Sequence, residues 1–229
     1  MKKILCFAPH PDDEILGCGG SLIKAIKLGY EIHICYLTFG EQGSPVFPTK
    51  KLKIIRKKES IKVSAFLGIP KSNIYFLGIP DNEINWHDIK AMKEIISLVR
   101  KIKPNIVYLP HEHENYYDHQ QASLLIQRAL GMAGSNNFKN QGKNSWWVEN
   151  VLAYEVSTPM EKYQYAEDIS GFIDQKIKVL KLYQSQTVKF GNASDFISDK
   201  AIFLPGYRAA MTIGEYREVF QVIRVAGIL

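Results

Sequence analysis

Phe7 to Gly20 reads FAPHPDDEILGCGG, and His10, Asp12, Asp13 and Glu14 crowd the point where an apolar run gives way to a helical pattern. A turn needs one or two polar residues and a helix start needs one capping side chain, so three successive acids exceed what local structure requires. Two more charged turns follow further apolar runs: TFGEQG with Glu41, and PHEHENYYDHQ with His111, His113, Asp118 and His119. Carboxylates gathered in one place repel one another unless a cation sits among them. Imidazoles mixed with carboxylates favour zinc or a related transition metal over magnesium or calcium.

Asp12 and Asp13 are adjacent, so their side chains diverge. One can hold a metal while the other faces the water beside it. A hydrolytic zinc site needs three protein ligands, an open position for water and a base within reach. On this reading His10, Asp13 and His119 hold one zinc ion (Zn2+) per chain, and Asp12 is the base. A plainer role for either aspartate is a helix cap, with Glu14 beside the positive end of the helix dipole. His33, mid-strand, and His87, at a helix start, read as structural. Gly17, Gly19 and Gly20 do not fit GxGxxG, and they sit behind acids that would repel a pyrophosphate; they suit close helix–sheet packing instead.

These residues need a frame that brings them together. KILCFAP, EIHICYLT, NIYFLGIP and NIVYLP are short runs rich in β-branched or aromatic residues, as strands buried on both faces are. Helical patterns alternate with them: EILGCGGSLIKAIKLGY ended by Gly29, Lys50 to about Leu67, and HDIKAMKEIISLVRKIK. This rhythm predicts a mostly parallel sheet with right-handed crossovers, helices on both faces, and ligands beyond the carboxyl ends of the strands. From VLAYEVST onward the pattern becomes a strand, a long helix (SGFIDQKIKVLKLYQSQ) and a mixed tail. Gly134 to Asn144 reads as a long mobile loop. The loop from Phe39 to Thr49 lies near the charged edge.

At 229 residues, 46% hydrophobic and 23% charged, the chain suits one globular domain over residues 1–229. No apolar run reaches the length of a membrane span, and no secretory signal precedes the first strand. Cys6, Cys18 and Cys35 cannot all pair and read as buried reduced thiols of a cytoplasmic protein. The net charge of +6 comes mainly from helical segments, Lys50–Lys62, Lys90–Lys103 and Lys176–Lys189. Aromatics are not interleaved with those lysines, so solvated helix faces account for the charge and nucleic acid is not an expected partner. The excess also attracts an anionic substrate.

APHPDDE with the later DHQ resembles the zinc-dependent N-acetylglucosaminyl de-N-acetylases, the LmbE-like or PIG-L family. LTFGEQG is similar to that family's Thr-x-Gly-Glu turn, IRKKESIKVSAFLGI to its Arg-x-x-Glu helix, and LGIPD to a segment with an active-site-adjacent aspartate, here Asp81. AYEVSTP, QKIKVLKLYQSQ and YREVF match its later strand, helix and closing Glu-x-Phe, so the likeness covers nearly the whole chain.

The resemblance implies a Rossmann-like three-layer α/β sandwich with the metal at the carboxyl edge of the sheet. It implies the same ligands and base, Asp118 as an orienting group, and Glu41 and Arg56 at positions that contact the sugar or its aglycone. The family's second motif usually reads His-x-Asp-His; here it is Tyr116, Tyr117, Asp118 and His119. Tyr116, His111 or His113 would then supply the donor that the missing histidine provides.

The expected reaction is hydrolysis of the acetamide of an N-acetylated amino sugar, conjugates with an anionic aglycone included. Two other readings stand beside it. One is a sugar-binding member without turnover, having lost its acid at Tyr116. The other is a non-haem iron enzyme, because two histidines and a carboxylate also make a facial triad. Oligomeric state is open, a homo-oligomer included.

Overall fold

The computed structural model describes residues 1–188 and 194–226. Its strands are β1 (Lys3–Ala8), β2 (Glu31–Tyr36), β3 (Ile74–Phe76), β4 (Ile106–Pro110), β5 (Asn150–Tyr154), β6 (Tyr165–Asp168) and β7 (Arg217–Val225). Its helices are α1 (Asp13–Lys27), α2 (Thr49–Phe66), α3 (Ile89–Ile102), α4 (Tyr117–Ala133), α5 (Ile173–Leu180), α6 (Gln184–Val188) and α7 (Ser194–Ala210). The strands join one sheet in the order β3-β2-β1-β4-β5-β7-β6. β1 to β5 pair in parallel, while β7 runs antiparallel to both β5 and β6. This is the mostly parallel α/β sheet the alternating pattern predicts.

Because strand side chains alternate, each inner strand feeds two cores. Ile4, Cys6 and Ala8 of β1 pack with Leu22 and Ile23 of α1 and Val179 of α5. Leu5 and Phe7 pack on the other side with Ile95 and Val99 of α3 and Leu125 and Ile126 of α4. Cys6, Cys18 and Cys35 are buried free thiols, as expected. The glycines of α1 do allow close packing: a Cβ on Gly17 would fall 2.2 Å from the Tyr154 ring, and one on Gly20 would fall 2.8 Å from Ile169.

Three expectations change. The long helix from Ser170 to Gln186 is interrupted, as a 3-10 turn at Ser170–Phe172, then α5, a turn, and α6. Tyr183, fully buried, lies in that turn and donates its hydroxyl to Glu14 at 2.6 Å, so a tertiary bond overrides the helical pattern. NIYFLGIP forms a strand only at Ile74–Phe76, followed by single bonds from Leu77 N and Ile79 N to β2 and the residue after it. The segment Gly134 to Asn144 is not loose. Buried Arg100 on α3 donates to the carbonyls of Ser135, Asn137, Phe138 and Gly142 and ties it down. Of the basic stretches, the Lys189 end of the third lies outside the described residues. No helix among the described residues is long and apolar enough to cross a membrane.

Candidate metal centre and active site

β1 and β4 are neighbours, and the connections leaving them run to opposite directions of the strand order. That switch point opens a crevice at the carboxyl edge. His10 to Asp13 enter it from the end of β1 and the start of α1; Asp118 and His119 enter on the first turn of α4. Two motifs more than a hundred residues apart thus meet. His10 Nδ1 is 3.1 Å from Asp13 Oδ2 and 3.2 Å from His119 Nε2, and His119 Nε2 is 3.3 Å from Asp13 Oδ2.

These three atoms form a nearly equilateral triangle. Donors at tetrahedral angles, on bonds of about 2.0–2.1 Å, stand roughly 3.3–3.4 Å apart, so the set fits a four-coordinate ion with one open position. Two imidazole nitrogens and a carboxylate oxygen turned toward one point also suit a cation better than one another. Burial opposes ionisation of Asp13, but His119 and His10 outweigh it and hold the carboxyl well below the usual range. His119 Nδ1 is buried without a hydrogen bond, with Glu114 Oε2 4.0 Å away.

The other side of the His10 ring is braced. Nε2 lies 3.0 Å from Asp81 Oδ1 and 3.3 Å from Asp118 Oδ2. Asp118 is held in turn by the amides of Asn82 (2.8 Å) and Ile84 (3.2 Å), and Asp81 by the amide of Gln42 (2.7 Å). A carboxylate behind a histidine fixes its tautomer and direction, the usual support of a metal-ligating imidazole.

Asp12 does not cap α1, since its side chain accepts no hydrogen bond from the helix start. Instead Oδ1 accepts from Arg56 Nη2 at 2.9 Å, while that guanidinium also donates to Pro11 O and, at 2.9 Å, to Gly40 O. The Asp12 backbone has φ 122°, outside the comfortable range of any non-glycine residue. Its amide donates to Glu14 Oε2 at 3.1 Å, and Glu14 Oε1 accepts from Tyr36 and Tyr183. A strained turn is thus held from both sides. Burial pushes the Asp12 carboxyl up to about 6, with Arg56 opposing and Asp13 reinforcing.

A cavity of about 270 Å³ opens over these groups, lined by His10, Asp12, Asp13, Arg56, Asp81, Tyr116 and His119. Tyr116 is 56% exposed, its ring 5.4 Å from that of His119. Three expected contacts are not brought there. Glu41 is buried and accepts from Phe39 N at 3.3 Å. His111 is buried with Nε2 2.9 Å from Thr158 O and Nδ1 accepting from His113 N. The His113 side chain is 80% exposed, and both histidines line a separate hollow with Pro159 and Met160. Arg56 reaches the cavity, but its terminal nitrogens hold protein atoms.

Sequence reasoning missed Gln42, Asn82, Ser157, Gln186 and Lys200, which also line the cavity. Gln42 and Asn82 flank singled-out acids and were within reach; Gln186 and Lys200 come from α6 and α7 and carry no local signal. Glu114, fully buried, accepts from the amides of Val156, Ser157 and Thr158 and so fixes the β5 end of the crevice.

Fold and site define a Rossmann-like α/β protein with a histidine–carboxylate cluster at the strand switch point. A family model described as PIG-L, GlcNAc-PI de-N-acetylase, matches residues 5–130, more than half the sequence, and the chain belongs to that LmbE-like family. It is 30% identical over 195 residues to the diacetylchitobiose deacetylase of Thermococcus kodakarensis, covering 81% of this chain and 70% of that protein. It is 24% identical over 198 residues to the 4-oxalmesaconate hydratase of Pseudomonas putida, covering 81% and 74%. The structure of N,N'-diacetylchitobiose deacetylase from Pyrococcus horikoshii, complexed with its inhibitor, superimposes with a TM-score of 0.86 at 25% identity, over 97% of this chain and 84% of that one.

Proposed function

We propose that residues 1–229 act as one unit that hydrolyses the acetamide of an N-acetylglucosamine-type amino sugar or its conjugate, releasing acetate. The observation that carries this reading is Asp12. Arg56 turns the Asp12 carboxylate from the helix end, burial raises its pKa to about 6 against the pull of Arg56, and it stands beside the His10, Asp13 and His119 cluster. A general base works best near the operating pH. His10, Asp13 and His119 would hold one divalent ion, with zinc suited to the donor set. When bound, such an ion supplies Lewis acidity toward the acetamide carbonyl and acidifies nearby water.

The chain's own groups do the rest. Asp12 takes a proton from the attacking water and returns it to the departing amine. The Tyr116 hydroxyl, on the cavity wall, donates a hydrogen bond to the oxygen that gains charge. His111 and His113 face elsewhere, which leaves Asp12 as the proton carrier for both transfers. Arg56 positions Asp12 instead of reading the sugar. Gln42, Asn82, Ser157 and Gln186 offer donors and acceptors for sugar hydroxyls, and Lys200 suits an anionic aglycone.

The test is acetate release from a panel of N-acetyl amino sugars by wild type and Asp12→Ala, with metal content measured in both. Turnover lost and metal retained supports the assignment; acetate release by the variant overturns it. Wild-type binding of these sugars without acetate release would favour the non-catalytic reading. Oxygen uptake dependent on added Fe(II) would favour the iron enzyme.

A further inference from the structure

β3 is the outer strand of the sheet and, among the described residues, pairs only with β2. The amides of Leu77 and Ile79 turn inward to Tyr36 O and Leu37 O at 3.0 Å each. Strand peptide groups alternate sides, so the amide and carbonyl of Phe76 point outward. Between this edge and α3 lies an open groove of about 990 Å³, which shares no lining residue with the cavity over the His–Asp cluster. Ile74 and Ile89 contribute to its apolar floor, and Lys57, Lys90, Lys93 and Lys101 stand along it against a single carboxylate, Glu94. All four lysines are exposed, and among the described residues none forms an ion pair.

The aromatic rings beside the groove are already covered. Phe76 stacks with Tyr36 and Phe39 at 5.2 and 5.1 Å, and Lys57 Nζ lies 5.3 Å from its centroid. Tyr75 stacks with His33 at 6.1 Å and has Lys101 Nζ at 6.0 Å. Both rings already have an aromatic neighbour and a lysine ammonium close by, which disfavours the base stacking that single-stranded nucleic acid uses.

The stretch of α3 along the groove is about 18 Å long, room for roughly five residues of extended chain. We propose that this edge receives an extended acidic segment of a partner protein, which adds as a further strand beside β3. Its carboxylates meet the lysines and its alternate apolar side chains meet the floor. A second copy pairing through its own β3 does not fit, because it would bring the same lysines against these. Lysines on an edge block such self-pairing; the same charges admit a strand of opposite sign.

The probe is a short peptide of alternating Glu and Val, titrated into the protein at low salt. Controls are alternating Lys and Val, Glu alone, and oligothymidylate. The Glu–Val peptide is expected to bind, to slow hydrogen exchange at the Phe76 amide, and to lose affinity as salt rises. The combined Lys90→Glu, Lys93→Glu and Lys101→Glu variant, folded as judged by its melting curve, should bind about tenfold more weakly or worse. Absence of binding, equal binding of Glu alone or the oligonucleotide, or an unprotected Phe76 amide would overturn the proposal.

Discussion

Asp12 combines a backbone at φ 122° with a carboxyl raised by burial and pulled back by Arg56. With Asp12 as the proposed base, protonation removes it, so kcat/KM for acetate release should fall as pH drops. A cation bound beside Asp12 can only lower its pKa, which places the acidic limb at or below about pH 6. Arg56 stabilises the carboxylate; Arg56→Met should therefore move the limb to higher pH, as a pH–rate profile of both proteins would show. A limb that does not move would mean another group controls it. Asp118 makes a second residue-level case. It accepts from two amides and lies behind His10 Nε2, and an asparagine has only one oxygen to offer. Asp118→Asn is expected to weaken metal binding about 10–100-fold, measured by calorimetry on chelator-stripped protein.

At the scale of elements, α1 is two helical pieces. Cys18, at φ −139° and ψ 21°, breaks it. The groups freed by the break are taken up by distant elements: Glu218 on β7 accepts from Gly20 N at 2.8 Å and Ser21 N at 2.7 Å, and Lys176 on α5 donates to Leu16 O at 2.8 Å. Lys176 and Glu218 pair at 2.7 Å, both essentially buried. The break and its bonded carboxylate and ammonium set where the front of α1, with Asp13 and Glu14, meets the sheet. Glu218→Ala should cost about 3–5 kcal/mol, because it leaves a buried ammonium unpaired; Glu218→Gln, which still accepts from an amide, should cost less. Urea unfolding of both variants checks the order. Gly17→Ala should cost about 1–3 kcal/mol, since the new methyl meets both the Tyr154 ring and, at 2.7 Å, the Glu155 carbonyl.

For the whole molecule, the cluster joins the ends of β1 and β4, so a bound ion ties together two halves of the sheet. A ligand that binds only the folded chain stabilises it by about 2.7 kcal/mol at a hundred times its Kd. Chelator should lower the Tm of wild type, and His119→Ala should melt at one temperature with or without chelator. An unchanged wild-type Tm would place the ion elsewhere or nowhere. Lys176 on α5 is buried, but the basic helices α2 and α3 expose Lys57, Lys90, Lys93 and Lys101 at the β3 edge, which makes any partner binding there dependent on salt.

The order of parallel strands and crossovers was legible in the chain because period-two and period-3.6 patterns are local, and β1, β2, β4, α1, α2 and α3 fall where those patterns place them. The His10, Asp12, Asp13 and His119 assembly was legible too, since its residues sit at strand ends that this topology must bring to one edge. Tertiary contact decided the rest. Tyr183 reaching Glu14 interrupts the expected helix, and Arg100 collects the carbonyls of a segment that reads as loose. Arg56 commits its guanidinium to Asp12 and two backbone carbonyls, while His111 and His113 turn away from the cavity. In each case the outcome rests on where a buried polar group finds its partner. That partner lies far away in sequence, and no local pattern encodes the distance.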